Sequence, residues 1–260
     1  MSAPEQHPAI SRIRAALQNV SFTSGTTAVS EEALNLFYRA NATDTQANVL
    51  NLAKATPEQL HGLISACDAA PFGRGNQTVM DDTYRKALKL ELAQFAMPFE
   101  LSQTGILTKI QNDLVDPSVA IRRGIRAEPY KLNIYDKGSF FKAHKDTPRD
   151  TSMFGSLVII FPTEHEGGNL LLTEGDEQWD FDAPTLLQQA TAPSVAWVAF
   201  YSTVVHEVLP VISGARVTLT YNLYFKSVDN SSETACSPNS KFVAIQDSLR
   251  ELVDEYEDGH

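Results

Sequence analysis

Residues 194–226 read SVAWVAFYSTVVHEVLPVISGARVTLTYNLYFK. The segment is rich in β-branched and aromatic residues, and its Ser, Pro and Gly residues divide it into runs of strand length. The same composition continues upstream, where strands are expected at residues 126–135, 154–161, 169–174 and 177–181. Many short strands with no long helix between them predict an antiparallel sandwich or barrel.

The chain on either side of this core is predicted to be different. Residues 1–118 are expected to form a mostly helical layer packed on the core, which spans residues 119–226, and residues 227–260 a polar loop with an acidic C-terminal helix. The N-terminal helices are expected at residues 8–20, 30–40, 56–69 and 99–114, from apolar spacing and capping residues. The predicted fold class is therefore α+β with a mainly β core.

The charge of the chain bears on its partners. The 32 acidic and 21 basic residues give a net charge of −11, and residues 227–260 alone carry 8 acidic and 2 basic residues. A protein that binds phosphates usually has the opposite sign. We therefore expect no nucleic-acid partner and no anionic membrane partner.

The location of the protein is inferred from what the sequence lacks. No window approaches the 18 uninterrupted apolar residues that would indicate a membrane span. The N-terminus does not have the layout of a secretory signal, and the two cysteines cannot make a disulfide framework. We expect a soluble cytoplasmic protein, with the nucleus as an alternative.

A His-x-Asp pattern carries the first chemical signal. His144 and Asp146 lie two residues apart at the end of a strand-like segment, so their side chains point to the same side. His206, on another predicted strand, supplies a second imidazole. Two histidines and one carboxylate on one face, with three positions left open, are the ligand set of non-haem Fe(II) oxygenases. The pattern also occurs by chance, so it needs support from other residues.

That support comes from Arg216, ten residues after His206. Arg216 and Thr218 share a strand face, and a guanidinium binds a carboxylate through two parallel hydrogen bonds. The pair is a candidate receptor for the far carboxylate of a dicarboxylic co-substrate. Taken alone, Arg216 could equally be a strand residue in a surface ion pair.

A third polar group precedes His144. Lys131, Asn133 and Tyr135 share one strand face, and Gly138 permits the turn into the segment that bears His144. This face could be solvated, but the short spacing to His144 favours an inward orientation of Asn133 and Tyr135.

Together these residues resemble the Fe(II)- and 2-oxoglutarate-dependent dioxygenases, in particular their prolyl-4-hydroxylase-like branch. The resemblance covers residues 126–226 and depends on NIYDKGSFFKAHKD, FPTEHEGGNL and HEVLPVISGARVTLTYNLYF. It implies a double-stranded β-helix, or jelly roll, with flanking helices. Iron would be held by His144, Asp146 and His206.

The resemblance also implies the co-substrates. Arg216, with Thr218 and Tyr135, would hold the C5 carboxylate of 2-oxoglutarate, and Asn133 its other end. O2 would be consumed, succinate and CO2 released, and ascorbate is a candidate reductant. The carboxylate of Asp146 indicates hydroxylation or a related C–H oxidation, because related halogenases lack it. His165 is expected on the pocket rim and not among the iron ligands.

Three substrate classes stay open at this point. The first is a protein side chain, prolyl by the resemblance, and the second is a free amino acid or secondary metabolite. The third is the nucleic acid of the related alkyl-demethylases, whose additional arginines after the distal histidine have no counterpart in residues 217–225. A jelly-roll binding module without catalysis is a further alternative, which the complete ligand set disfavours.

Overall fold

A computed structural model describes residues 7–10, 20–41, 43–74, 77–115, 123–226, 246–251 and 253–254. Within these residues the chain forms the strands β1 Phe22–Ala28, β2 Asn35–Tyr38, β3 Asn48–Asn51, β4 Asp68–Ala69, β5 Phe72–Arg74, β6 Gln77–Val79, β7 Arg85–Lys86, β8 Leu88–Glu91, β9 Phe95–Ala96, β10 Ile125–Tyr135, β11 Phe140–His144, β12 Met153–Ile160, β13 His165–Gly167, β14 Leu170–Glu174, β15 Glu177–Phe181, β16 Ser194–Tyr201, β17 Val205–Val208, β18 Val211–Gly214 and β19 Arg216–Phe225. The helices are α1 Pro57–Ser65, α2 Ile106–Leu114 and α3 Ala183–Gln188, with 3-10 turns at Glu32–Leu34 and Leu101–Gln103.

Two antiparallel sheets form the core. The major sheet has the strand order β1-β16-β12-β19-β10-β8-β4, and the minor sheet has the order β15-β14-β17-β11-β7. Non-consecutive strands are neighbours in both sheets, as in a jelly roll. The predicted fold class is confirmed: a mainly β core organised as a double-stranded β-helix.

The major sheet is buried on both faces, which explains its continuous apolar strands. Along β16, Val195, Trp197 and Ala199 join the cluster packed under α1 and α2. Their alternating neighbours Ala196, Val198 and Phe200 join a second cluster between the two sheets. Because successive side chains of a strand point to opposite faces, one strand supplies both clusters.

Strand register positions the polar residues of the sequence prediction. In the major sheet, Tyr135 of β10 lies opposite Arg216 of β19, and Asn133 lies opposite Thr218. In the minor sheet, His144 of β11 lies opposite His206 of β17. The site therefore lies between the two sheets, with each sheet contributing one polar group.

The N-terminal prediction needs correction. The mostly helical layer expected over residues 1–118 is wrong for the described part, where β1 to β9 lie, and three of these strands belong to the major sheet. The helix expected at 30–40 is a 3-10 turn followed by β2, in which Leu36 and Tyr38 are buried on either side of the exposed Phe37. This alternation has the period of a strand, and pairing with β3 and β9 decides the outcome.

Other N-terminal predictions agree with the structure. The helix expected at 56–69 is α1, which begins with a capping box between Thr56 and Gln59, and the one expected at 99–114 corresponds to the second 3-10 turn and α2. The helix expected at 8–20 lies outside the described residues except for 8–10, which are helical.

At the C-terminus, the predicted loop at 227–238 lies outside the described residues, and residues 246–251 of the expected terminal helix are helical. None of the described helices is long and apolar enough to cross a membrane.

Candidate metal and co-substrate site

Three predicted ligands converge at the open end of the minor sheet. One donor atom from each of His144, Asp146 and His206 lies within 4.8 Å of the others, and His206 Nε2 is 3.7 Å from Asp146 Oδ1. Donors bonded at about 2.1 Å to one ion lie about 3–4 Å apart, so a small adjustment would let all three share one metal. Among the described residues, these three form the group of histidine, cysteine and carboxylate side chains whose donor atoms are close enough together to hold a metal ion.

Backbone carbonyls orient both imidazoles. His144 Nδ1 is 2.8 Å from the Lys142 carbonyl oxygen, and His206 Nδ1 is 3.2 Å from that of Val204. A carbonyl can only accept, so each Nδ1 carries the proton and each Nε2 presents its lone pair. This second contact fixes the tautomer that a metal requires.

The carboxylate has its own support. The Ser156 hydroxyl donates to Asp146 Oδ2 at 2.5 Å, while Oδ1 faces His206. Ser156 lies on β12 of the major sheet, so this hydrogen bond connects the two sheets at the site. The sequence analysis did not identify Ser156, although it is the one hydroxyl in the otherwise apolar run FGSLVIIF.

Aromatic rings enclose the imidazoles. Phe141 stacks on His144 with ring centroids 3.5 Å apart, and Phe200 lies 4.6 Å from His206. Burial, together with the neighbouring His206, lowers the pKa of His144 to about 3. His144 is therefore neutral near pH 7, which is the state that binds a metal.

Arg216 lies in the second part of the site. Its side chain is 2 % exposed, and burial lowers its pKa to about 10. Among the described residues no carboxylate pairs with its guanidinium, which lies 5.5 Å from the ring centre of Tyr135. A buried charge without a counter-ion is costly, so the position is suited to an anionic ligand.

A cavity of about 100 Å³ connects the two parts and is called the inner cavity. Its lining includes all three candidate metal ligands and the four residues expected at the co-substrate: His144, Asp146, His206, Arg216, Thr218, Tyr135 and Asn133. The structure thus brings together every residue that the sequence analysis selected. A dicarboxylate in this cavity could contact the metal at one end and Arg216 at the other.

Asn133 has partners that the sequence did not reveal. Its Oδ1 accepts from Arg85 Nη2 at 2.9 Å, and its Nδ2 donates to Thr220 at 3.1 Å. One N–H of the amide remains for a ligand. Arg85 was missed because β7 was not predicted, and the sequence gives no signal that it folds onto this site.

His165 does not join the metal donors. It is 6 % exposed and belongs to the lining of neither the inner cavity nor the larger cavity described below, so the expected position on the pocket rim is wrong. Its Nδ1 contacts the Thr163 carbonyl at 2.8 Å, and its Nε2 is buried without a partner in the described chain. Pairing of β13 with β18 holds it in this position.

A second, larger cavity of about 310 Å³ lies beside the metal ligands and is called the outer cavity. It continues to the β5–β6 hairpin through Phe72 and Thr78. The residues that it shares with the inner cavity include His144, Asp146, Ser156, Arg85 and Lys131. The outer cavity is therefore the space in which a substrate would meet the metal.

The donor set fits an iron ion and 2-oxoglutarate. Two Nε2 lone pairs and one carboxylate make a facial triad with open positions, the pattern of non-haem Fe(II) oxygenases. The unpaired guanidinium of Arg216 in the same cavity accounts for the far carboxylate of the co-substrate.

Comparison with known proteins supports this assignment at the level of the family. Residues 130–224 match the family model of the 2OG-Fe(II) oxygenase superfamily. The match confirms the resemblance and the prediction of an enzyme of the 2-oxoglutarate- and iron-dependent oxygenase class, and this family implies Fe(II) and 2-oxoglutarate. No curated protein matches the chain significantly.

Solved structures to which this chain is similar include prolyl hydroxylases. A Pseudomonas putida prolyl-4-hydroxylase is 16% identical, with 84% of this chain and 100% of that chain covered and a TM-score of 0.44. A Trichoplax adhaerens prolyl hydroxylase in complex with a hypoxia inducible factor peptide fragment is 13% identical, with coverages of 83% and 88% and a TM-score of 0.45. AviO1 from Streptomyces viridochromogenes is 15% identical, with coverages of 91% and 100% and a TM-score of 0.39.

Proposed function

We propose that the protein hydroxylates an unactivated C–H bond in a protein side chain, with a prolyl side chain as the first candidate. One oxygen atom of O2 would enter the new hydroxyl group and the other would enter succinate, while 2-oxoglutarate loses CO2. The observation that carries this proposal is the shared cavity of His144, Asp146, His206 and Arg216.

The residues divide into two binding roles. His144, Asp146 and His206 would hold Fe(II), and Ser156 would orient the carboxylate of Asp146. Iron and 2-oxoglutarate, when bound, supply the oxidising power for C–H hydroxylation. The protein fixes the geometry of the ligands and keeps water from the oxidant, with ascorbate as the proposed reductant.

The co-substrate would extend from the metal to Arg216. The guanidinium pairs with the C5 carboxylate, and Thr218 and Tyr135 line the same end of the inner cavity. Asn133 is proposed to contact the opposite end through its remaining amide N–H. This arrangement leaves the outer cavity free for the substrate.

A free amino acid or another small carboxylic acid is the second candidate substrate. The outer cavity of about 310 Å³ is near the lower limit of small-molecule sites, which begin at about 300 Å³. Its cationic lining, described below, also favours a small acid. The prolyl candidate is based on the family resemblance, since no residue of the cavity is specific for proline.

Replacement of a metal ligand tests the reaction class. His206→Ala should abolish iron-dependent formation of succinate from 2-oxoglutarate, and it should lower the iron content of the purified chain. His61→Ala is a matched control, because His61 lies exposed on α1. Full turnover by His206→Ala would refute the assignment, and a product heavier by one oxygen atom in mass spectrometry would support hydroxylation.

A further inference from the structure

The outer cavity has an unusual charge for this protein. The chain has a net charge of −11, yet four cationic side chains line the cavity, namely Arg85, Lys131, Lys145 and Arg149. Asp146 is the one carboxylate of this lining, and it belongs to the candidate metal ligands. The local charge is therefore opposite to that of the whole chain.

Arg85 is already used by the protein. Its Nη1 donates to the Pro71 carbonyl at 2.8 Å and its Nη2 to Asn133, and its guanidinium lies 4.5 Å from the ring centre of Phe141. These contacts hold the β7 strand against the site. Arg85 is therefore a structural cation, although its buried Nε has no partner among the described residues.

Lys131 and Arg149 are different. The Lys131 ammonium and the Arg149 guanidinium each lie 4.1 Å from the ring centre of Tyr130. Neither forms an ion pair with a described carboxylate within 4.0 Å. Glu91 faces Lys131 across the strand pair and is bound by Lys89, and the positive charges of Lys131 and Arg149 also help to lower its pKa. We call these two side chains the Lys131–Arg149 pair.

Lys131 is the more informative member of the pair. It is 6 % exposed, and burial lowers its pKa. Its ammonium lies over the ring of Tyr130, and no hydrogen bond from it to a described residue is seen, so its donors are available for a ligand. A lysine that is nine-tenths buried with no carboxylate within 4.0 Å is rare, because its desolvation is only partly compensated.

Iron and co-substrate would not compensate the Lys131–Arg149 pair. The two positive charges of Fe(II) and the one of Arg216 balance the carboxylate of Asp146 and the two carboxylates of 2-oxoglutarate. Arg85 and Lys131 line both cavities, so their positive charges, with those of Lys145 and Arg149 in the outer cavity, remain in excess when iron and co-substrate are bound.

We propose that the Lys131–Arg149 pair binds a carboxylate of the substrate and so positions the neighbouring C–H bond at the metal. This inference rests on the proposed function and specifies its substrate class. Phe72, Tyr84 and Met153 line the same cavity and offer apolar contacts to the rest of the substrate. The carboxylate can come from a free acid or from an acidic residue of a peptide.

The binding test uses benzoate and benzamide, which share a shape and differ in charge. With Fe(II) and saturating 2-oxoglutarate under anaerobic conditions, benzoate should bind in calorimetry and benzamide should not. Lys131→Met and Arg149→Met should each weaken benzoate binding about 10- to 100-fold, because hydrogen bonds to charged groups are strong. Lys86→Met and Arg126→Met are matched controls outside both cavities and should leave binding unchanged.

Three results would overturn the inference. The first is equal binding of benzoate and benzamide, and the second is unchanged benzoate affinity in both Lys131→Met and Arg149→Met. The third is that the chain binds phenyl phosphate but not benzoate, which would contradict the choice of a carboxylate. Since these measurements need no turnover, they decide the inference even if the natural substrate is not found.

Turnover then separates the two sources of the carboxylate. Free L-amino acids are compared with their amides, and amidated proline peptides containing one Glu are compared with their Gln counterparts, by substrate-stimulated succinate formation. Preference for the acid in the first set indicates a free acid, and in the second set an acidic peptide. Succinate formation that ignores charge in both sets refutes the inference alone, whereas no iron-dependent succinate formation at all refutes the proposed function.

Discussion

Arg216 offers the strongest test of the co-substrate site, because its charge is fully buried and has no counter-ion among the described residues. Arg216→Met keeps an unbranched apolar stem and removes the guanidinium. Truncating one partner of a buried charge pair costs about 2–5 kcal/mol. Since about 1.4 kcal/mol corresponds to a tenfold change in affinity, the KM for 2-oxoglutarate should rise at least about 30-fold.

Thermal unfolding measures the same loss without turnover. At a co-substrate concentration of 100 times Kd, the wild-type chain gains about 2.7 kcal/mol, and a 30-fold weaker Kd reduces this gain to about 0.9 kcal/mol. For a chain of this size the shift in Tm should fall from about 5–10 °C to about 2–3 °C. Without co-substrate, Arg216→Met should be at least as stable as the wild type, because it removes an unpaired buried charge.

Two further variants complete this prediction. Arg216→Lys should recover part of the affinity, since an ammonium keeps the charge but not the planar pair of donors. Arg126→Met removes an arginine from the neighbouring strand, where it pairs with Glu128, and should leave the KM unchanged. The reasoning fails if Arg216→Met retains the wild-type KM and the full thermal shift with 2-oxoglutarate.

Three other predictions follow from the same site. Ser156→Ala removes the hydrogen bond to Asp146 and should weaken iron binding about 10- to 100-fold in a metal titration; unchanged affinity would show that the carboxylate needs no support. Gly168→Ala should lower the free energy of unfolding by about 1–3 kcal/mol, because φ is +70° and the new Cβ would lie 3.0 Å from Arg216 Cδ. Gly175→Ala is the control and should cost less, since φ is similar but the space around it is open. Equal losses in thermal unfolding would contradict this account. Titration with DNA or RNA at low and moderate salt should show no salt-sensitive binding, and micromolar affinity that falls steeply with salt would revive the alkyl-demethylase alternative.

The sequence predicted the core well because the core obeys local rules. The alternating and β-branched runs between residues 125 and 225 correspond to strands whose faces are set by a two-residue period. The same period fixed the relation of His144 to Asp146 and of Arg216 to Thr218. Chain order and spacing were sufficient for these pairs, since each lies on one strand or at its end.

The N-terminal third could not be predicted in the same way. Residues 30–40 have apolar positions that fit a helix or a strand, and pairing with β3 and with the distant β9 decides for the strand. The contact of Arg85 with Asn133 joins residues 48 positions apart, so no local pattern indicates it. The charge of the outer cavity was missed for the same reason, because its cations come from separate segments.

The polar face of β19 explains why the co-substrate and substrate regions are adjacent. Arg216, Thr218 and Thr220 line the inner cavity, and Thr220 and Asn222 line the outer one, so one alternating strand face runs through both. The intervening residues Val217, Leu219, Tyr221 and Leu223 belong to the apolar cluster on the other face. A strand advances about 7 Å for every two residues, so the six residues from Arg216 to Asn222 span about 20 Å. A single strand can therefore hold the far carboxylate of the co-substrate at one end and face the substrate at the other, while its opposite face stabilises the fold.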